Sequence, residues 1–510
     1  MLRLTGLDAT FLYMETPSNH MHVASTVVLD PSTAPGGYSF ERARALIENR
    51  LPLLPPFRRR LVEVPFGLHH PIWIEDPDFD LDYHVRRAAL PSPGGRRELE
   101  EFAADVFSRP LDRSRPLWEM YIVEGLEGGN IAVVSKTHHA AIDGVSGAEL
   151  TVNLLDLSPE SMIVPPEDPP WKPDRIPTDV EMVGFALNSL ARQPVAAVKA
   201  AQRTGAMLMN LRRRNRQPDV TPPPAPFQAP KTFINTSITA HRRFVMAEVS
   251  LADIKHVKNT LGGTVNDVVL AVCAGALRTW IGDHEEIPTE DLVGMVPISV
   301  RTEDQKGEMG NRVSAMLVKL VSTVEDPVER LNAIREATKL AKEQDKAISA
   351  DVLTDWMEFA APAVAARAAR LASSLRVFDR LSRPLFNLVI SNVPGPPIPL
   401  YSAGAKVLGI WPMGPIADGT GLNITVMSYL DAVNFGLVAC REIAPDLDAL
   451  GRYIEEAMDE LVKAAAAVSG TKPTSKTASG TRRTGTATTP ANAAAKESKP
   501  PARKRATASR

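Results

Sequence analysis

Two stretches of the chain, VPPEDPPWKPDRIP at 164–177 and QPDVTPPPAPFQAP at 217–230, can be neither helix interior nor central strand. Proline has no amide hydrogen to donate and its ring fixes φ, so each stretch reads as a connection. At 510 residues the chain is also too long for one ordinary core, because folded domains stop growing near ~250–300 residues. The division expected is a first domain over 1–160, a Pro-rich and partly helical linker over 161–230, a second domain over 231–468 and a tail over 469–510.

Composition limits what these parts can be. With 44 % hydrophobic and 23 % charged residues, most of the chain can bury enough apolar surface to offset its conformational entropy. Cys273 and Cys440 are the only cysteines, which offers neither a disulfide framework nor a thiolate metal site and suits a reducing compartment. No secretory-type segment opens the sequence and no run of eighteen apolar residues interrupts it, so a cytoplasmic protein without a spanning helix is expected.

The net charge of −2 conceals an asymmetry: from Ser469 to Arg510 ten basic residues face one acid, giving about +9 there and about −11 in the rest. The tail has almost nothing to bury, so disorder is expected. It can be a solubilising appendage or a contact to anionic lipid or nucleic acid. An acidic body and a tail without interleaved aromatics exclude nucleic-acid binding as the main function. Between the proline stretches, 179–216 reads as a helix broken near Pro194 and ending in Arg212, Arg213, Arg214 and Arg216. Those cations either complement a helix dipole or lay a basic amphipathic helix on a membrane.

In the first domain, periodicity predicts strands at HVASTVVLD, LWEMYIVEGL and NIAVVSKTHHA, and helices at YSFERARALIENRL, ELEEFAADVFS and GVSGAELTVNLLDL. In the second, helices are predicted at 250–262, 264–283, 326–346, 349–375 and 446–467. Strands are predicted at 292–300, 314–322, 385–393, 421–430 and 432–440. Strand and helix mix without strict βαβ alternation, which favours two sandwich-like α/β domains over one doubly wound sheet.

The candidate chemistry lies in VSKTHHAAIDGVSG at 134–147. His138 and His139 end a predicted strand, where neighbouring side chains point to opposite faces. One can therefore face a cavity while the other faces the interior, but both cannot easily reach one metal ion, and no metal is expected. His20, His22, His69 and His70 have no carboxylate at short spacing and read as surface or loop histidines. Asp143, four residues after His139, can organise the local turn, and a neutral imidazole is suited to take a proton near pH 7. No G-x-S-x-G elbow is present and Cys273 lies in an apolar run, so the nucleophile must come from the substrate. Asn266, beside Asp267, and Asn392 are polar residues in apolar surroundings. They could donate to an oxyanion, or could cap a helix and fix a turn.

HHAAIDG matches the HHxxxDG signature of the CoA-dependent acyltransferase superfamily. LDATFLYMETPSNHMHV at 7–23, RPLWEMYIVEGL at 115–126, TVNDVVLAVCAGALR at 264–278, VPISVR at 296–301, GN at 310–311, NLVISNVPGP at 387–396 and 421–446 narrow the likeness. Together these segments resemble the bacterial wax ester synthase/diacylglycerol acyltransferase family over 1–465. The resemblance implies two chloramphenicol-acetyltransferase-like α/β domains in a pseudo-dimer with a tunnel between them. It also implies transfer of a long-chain acyl group from acyl-CoA, a co-substrate with no further cofactor, to diacylglycerol or a long-chain alcohol. His139 would be the general base, His138 a supporting residue, Asp143 a structural one, and Gly144 would allow a tight backbone; no acyl-enzyme would form. Pro116-Leu117-Trp118 would be positional. Apolar substrates imply a peripheral membrane or lipid-droplet location, reached through 178–216 or the basic tail. The competing readings are a non-catalytic lipid-binding paralogue and a condensation-type enzyme with a carrier-bound donor.

Overall fold

The computed structural model describes residues 2–141, 153–161, 164, 167, 170–190, 227–299, 313–345, 367 and 370–469. Most of the helices expected over 144–157 and 349–375, the Arg212–Arg216 cluster, residues 310–311 and the basic tail lie outside these residues.

In chain order the strands are β1 (Leu2–Arg3), β2 (His22–Asp30), β3 (Arg59–Val62), β4 (Ile72–Glu75), β5 (Val85–Ala89), β6 (Trp118–Glu124), β7 (Ile131–His138) and β8 (Arg242–Ser250). They continue with β9 (Val293–Ser299), β10 (Val313–Lys319), β11 (Leu388–Val393), β12 (Tyr401–Ser402), β13 (Ala405–Met413), β14 (Leu422–Tyr429) and β15 (Ala432–Cys440). The helices are α1 (Gly6–Tyr13), α2 (Phe40–Arg50), α3 (Leu81–His84), α4 (Arg96–Ser108), α5 (Asp179–Leu190), α6 (Leu251–Leu261), α7 (Val265–Gly282), α8 (Pro327–Asp345), α9 (Val377–Arg380) and α10 (Leu447–Ser469).

Two mixed sheets carry the fold, in the orders β12-β13-β2-β7-β6-β5 and β10-β9-β11-β14-β15-β8, beside a small sheet β1-β4-β3. The expected class, α/β, is the one found. The first sheet is antiparallel except for β5 with β6. In the second, β11 runs parallel to both β9 and β14.

Helix α7 is apolar all round because it is the central helix of the second core, packed with Ile254, Leu437 and Leu461. By length and composition it could cross a membrane, yet most of it is buried within the protein. Thr264 and Asp267 close its N-terminus as a capping box. Helix α4 buries Leu99, Ala103, Val106 and Phe107 at helical spacing. Its C-terminal carbonyls are met by buried Lys136, whose Nζ donates to Val106 O (3.0 Å) and Arg109 O (2.9 Å). A cation there offsets the negative end of the helix.

The proline stretch after 164 is not a free linker where it is described. Arg58 forks onto Glu167 (2.6 and 2.8 Å), the Trp171 indole donates to Glu75 (2.7 Å), and Asp174 and Glu75 pair through their backbones (3.0 Å). It straps α5 onto the small sheet, where Met182 and Ala186 pack with Val64, Ile72 and Ile74.

Strand β13, which the sequence pattern does not single out, crosses from the second half of the chain to pair with β2 in the first sheet. Lys406, Gly409 and Pro412 break its apolar alternation, and the register shifts between Val407 and Gly409. The first sheet is thus completed by residues from beyond 400. At this seam Asn434 donates to Ile410 O (3.0 Å) and the Trp411 indole to Ala247 O (3.2 Å). A Cβ at Gly436 would overlap the Pro412 carbonyl, so only glycine lets β15 lie this close to β13. Gly436→Ala should therefore lower stability by about 1–3 kcal/mol through overpacking. An unchanged denaturant midpoint would show that the two sheets are not in contact there.

Candidate active site

The two histidines are set by backbone pairing on both sides. His138 is the last residue of β7, its partner in β2 is His22, and its amide donates to Leu117 O (2.9 Å). His139 opens a 3-10 turn over His139–Ala141, and its amide donates to Met21 O (2.9 Å). Met21 holds a left-handed backbone at φ 47°, a conformation a non-glycine residue keeps only where its surroundings impose it. Leu117 supplies the carbonyl, while Trp118 is locked by its indole bond to Phe57 O (2.8 Å) and by stacking on His84 and Phe57.

The imidazoles then diverge. His138 is 1 % exposed, and its Nδ1 accepts the Ala140 amide (3.0 Å). That bond requires Nδ1 to carry no hydrogen, so the neutral ring is protonated at Nε2. Nε2 faces Glu15 Oε1 at 3.8 Å, beyond hydrogen-bond reach. His139 is half-buried and stacks on Phe11 of α1, with ring centroids 3.9 Å apart. Its Nδ1 is itself buried and has no hydrogen-bond partner among the described residues. Burial pushes the His139 pKa down to about 4, leaving the ring neutral at pH 7.

His20, His22 and His70 are not surface residues as expected; they are 7 %, 1 % and 5 % exposed, and only His69 is half-buried. His22 opens the strand expected at HVASTVVLD, and direct pairing with His138 encloses it. His20 and His22 stack at 5.5 Å, and His22 meets His138 edge-on at 5.8 Å. His70 Nδ1 and the Tyr13 hydroxyl share a hydrogen bond (2.6 Å), and burial keeps that hydroxyl protonated. Burial first, then the charges of Arg242, Lys136 and Arg113 respectively, hold His20, His22 and His138 below the usual histidine range.

The two asparagines expected near the site are brought together, with Asn392 Nδ2 donating to Asn266 Oδ1 (3.3 Å). Neither does the local job open to it: Thr264 caps α7 and Asn392 lies within β11. Asp267 is structural. Its carboxylate takes the Thr264 amide and hydroxyl (2.8 Å each) and the Thr338 hydroxyl (2.7 Å). Asp143 and Gly144 lie outside the described residues.

Phe11, Glu15 and Arg113 were not singled out from the sequence. Glu15 is ion-paired with Arg113, which also donates to Leu12 O (3.0 Å). Burial still raises the Glu15 carboxyl above its ordinary range. The available signal was an acid following the apolar stretch ATFLYM, a place where a carboxylate needs a partner.

The catalytic-domain model of the wax ester synthase/diacylglycerol acyltransferase family matches residues 4–269, and its C-terminal-domain model matches 309–462. The chain belongs to this family and is an acyltransferase. A Mycobacterium tuberculosis H37Rv protein named as a diacylglycerol O-acyltransferase is 37 % identical over 465 residues, 91 % of this chain and 90 % of that one. A second from the same organism is 38 % identical over 442 residues, 86 % of this chain and 91 % of that one. The structure of the wax ester synthase/diacylglycerol acyltransferase from Marinobacter aquaeolei VT8 aligns with a TM-score of 0.63 at 31 % identity, covering 91 % of this chain and 100 % of that one. The starter condensation domain of a rhizomide synthetase, solved with C8-CoA, aligns at 0.51 with 10 % identity over 91 % of this chain and 94 % of that one, a likeness of fold alone.

Buried neutral histidines give a pH dependence of definite sign. His20 and His84 are each held near 4 in the folded chain, mainly by burial, whereas the unfolded chain binds their protons near ~6.5. Stability is unaffected above that unfolded value and is lost as pH falls from it toward the folded one. The loss should be on the order of 2 kcal/mol per histidine at pH 5. Urea midpoints at pH 7.5 and 5 measure it, and equal midpoints would contradict burial of these rings.

Proposed function

We propose that this enzyme transfers a long-chain acyl group from acyl-CoA to the hydroxyl of diacylglycerol, of a long-chain alcohol, or of both, with His139 as general base and no covalent acyl-enzyme. The observation that carries this is the contrast between two adjacent neutral imidazoles. His138 is enclosed with its Nδ1 occupied, while the neutral ring of His139 is half-buried.

His139 takes the hydroxyl proton as the oxygen attacks the thioester carbonyl. The tetrahedral intermediate then collapses with cleavage of the C–S bond, and the proton passes from His139 to the CoA sulfur. A base of this kind contributes roughly 10²–10⁴-fold. The Asn266–Asn392 amide pair retains N–H groups that can meet the developing oxyanion.

Purified enzyme should release CoA from palmitoyl-CoA only when diacylglycerol or hexadecanol is added. His139→Ala should lower kcat by roughly 10²-fold or more; equal release by the variant would refute the mechanism. A lipid-binding paralogue without turnover would release none even as wild type.

The apolar substrates support a cytoplasmic enzyme lying on a membrane or lipid-droplet surface. Phe66 (87 % exposed), on a turn packed against α5, and Val180 and Phe185 of α5 (82 % and 53 %) are exposed apolar side chains at the start of the 178–216 segment. Exposed apolar area of this kind marks a contact surface. Phe66→Ser with Phe185→Ser should reduce flotation with phosphatidylglycerol liposomes, and unchanged flotation would remove these side chains from the contact.

A further inference from the structure

An open groove of about 680 Å³, its accessible surface mostly apolar, lies beside the segment that carries Glu15. Pro17, Ser18 and Ala240 form one wall; Arg367, Arg370, Leu371 and Ser373 form another. Arg367 and Arg370 both line it. Both are exposed, and neither forms an ion pair with a carboxylate among the described residues. The described residues lining the groove include no acid. Behind the opposite wall, buried Arg242 donates to Ser18 O, adding a further positive charge.

We propose that Arg367 and Arg370 hold the phosphate esters at the nucleotide end of the acyl-CoA donor, in the groove walled on its other side by Pro17 and Ser18. This rests on the donor named above. Of the two substrate classes, the acceptors are uncharged lipids, so only the donor brings phosphate. Guanidinium groups suit it, since each can give two parallel N–H bonds to phosphate oxygens. The location fits as well: Pro17 and Ser18 lie two and three residues after Glu15, whose carboxylate faces His138. The Arg370 charge is felt at Glu15, where it works against the effect of burial. A donor anchored here would extend its pantetheine arm along 15–18 toward the histidine pair.

Anionic phospholipid headgroups offer the same phosphate chemistry, and the test separates the two sources. Arg367→Ala, Arg370→Ala and the double variant alter exposed positions and should keep the wild-type fold, as circular dichroism will show. In detergent micelles the double variant should raise KM for palmitoyl-CoA roughly tenfold or more. KM for palmitoyl-pantetheine, which lacks the nucleotide end, and kcat for both donors should stay within about twofold. Calorimetric binding of CoA itself should weaken in parallel, a readout that survives even if no acyl transfer is found. Absent transfer by wild type would count against the proposed function. Equal CoA affinity in wild type and double variant would overturn this inference. Loss of phosphatidylglycerol vesicle binding with unchanged KM in micelles would also overturn it, in favour of a headgroup site.

Discussion

The seam between β13 and its neighbours is the constraint on which the site depends. β13 pairs with β2, and β2 pairs with β7. The residue just before β2, Met21, holds the amide of His139, and the first residue of β2 is paired with His138. A strand from the second half of the chain thus props the strand that positions the histidines of the first. Gly436 permits the close approach, and the hydrogen bonds of Asn434 and Trp411 fix it. The two halves are therefore one folding problem, despite the prolines between them.

Once the strand is held, its end sorts the two imidazoles. A pleated strand sends adjacent side chains to opposite faces, so one histidine joins the buried cluster with His22 and Glu15 while the other leaves the ladder and lies against Phe11. Low polarity then favours the uncharged ring at both positions. A neutral base that need not first lose a proton is the state an attacking alcohol requires. The cost falls on stability in acid.

Much of this was legible in the residues. β2 was delimited to the residue, because HVASTVVLD alternates and is rich in β-branched side chains, and α7, α8 and α10 follow their periodicity to within two residues. The histidine pair and Asn266 with Asn392 stood out as polar groups in apolar settings. Three things were not legible. β13 carries glycine, lysine and proline where a strand is expected to alternate, since its environment is a seam rather than a sheet face. His20, His22 and His70 look like surface or loop residues until Ser108, β7 and Tyr13 respectively partner them. Glu15 and Arg113 are 98 residues apart, and nothing local in either predicts their ion pair.

The central claim is that the strand end leaves His139 open and neutral and His138 enclosed. Diethyl pyrocarbonate reacts with accessible uncharged imidazole, so peptide-level labelling of the intact enzyme at pH 6 reads this directly. His139 should be modified several-fold faster than His138 and be protected by saturating acyl-CoA. Faster labelling of His138, or equal rates at the two positions, would contradict the assignment.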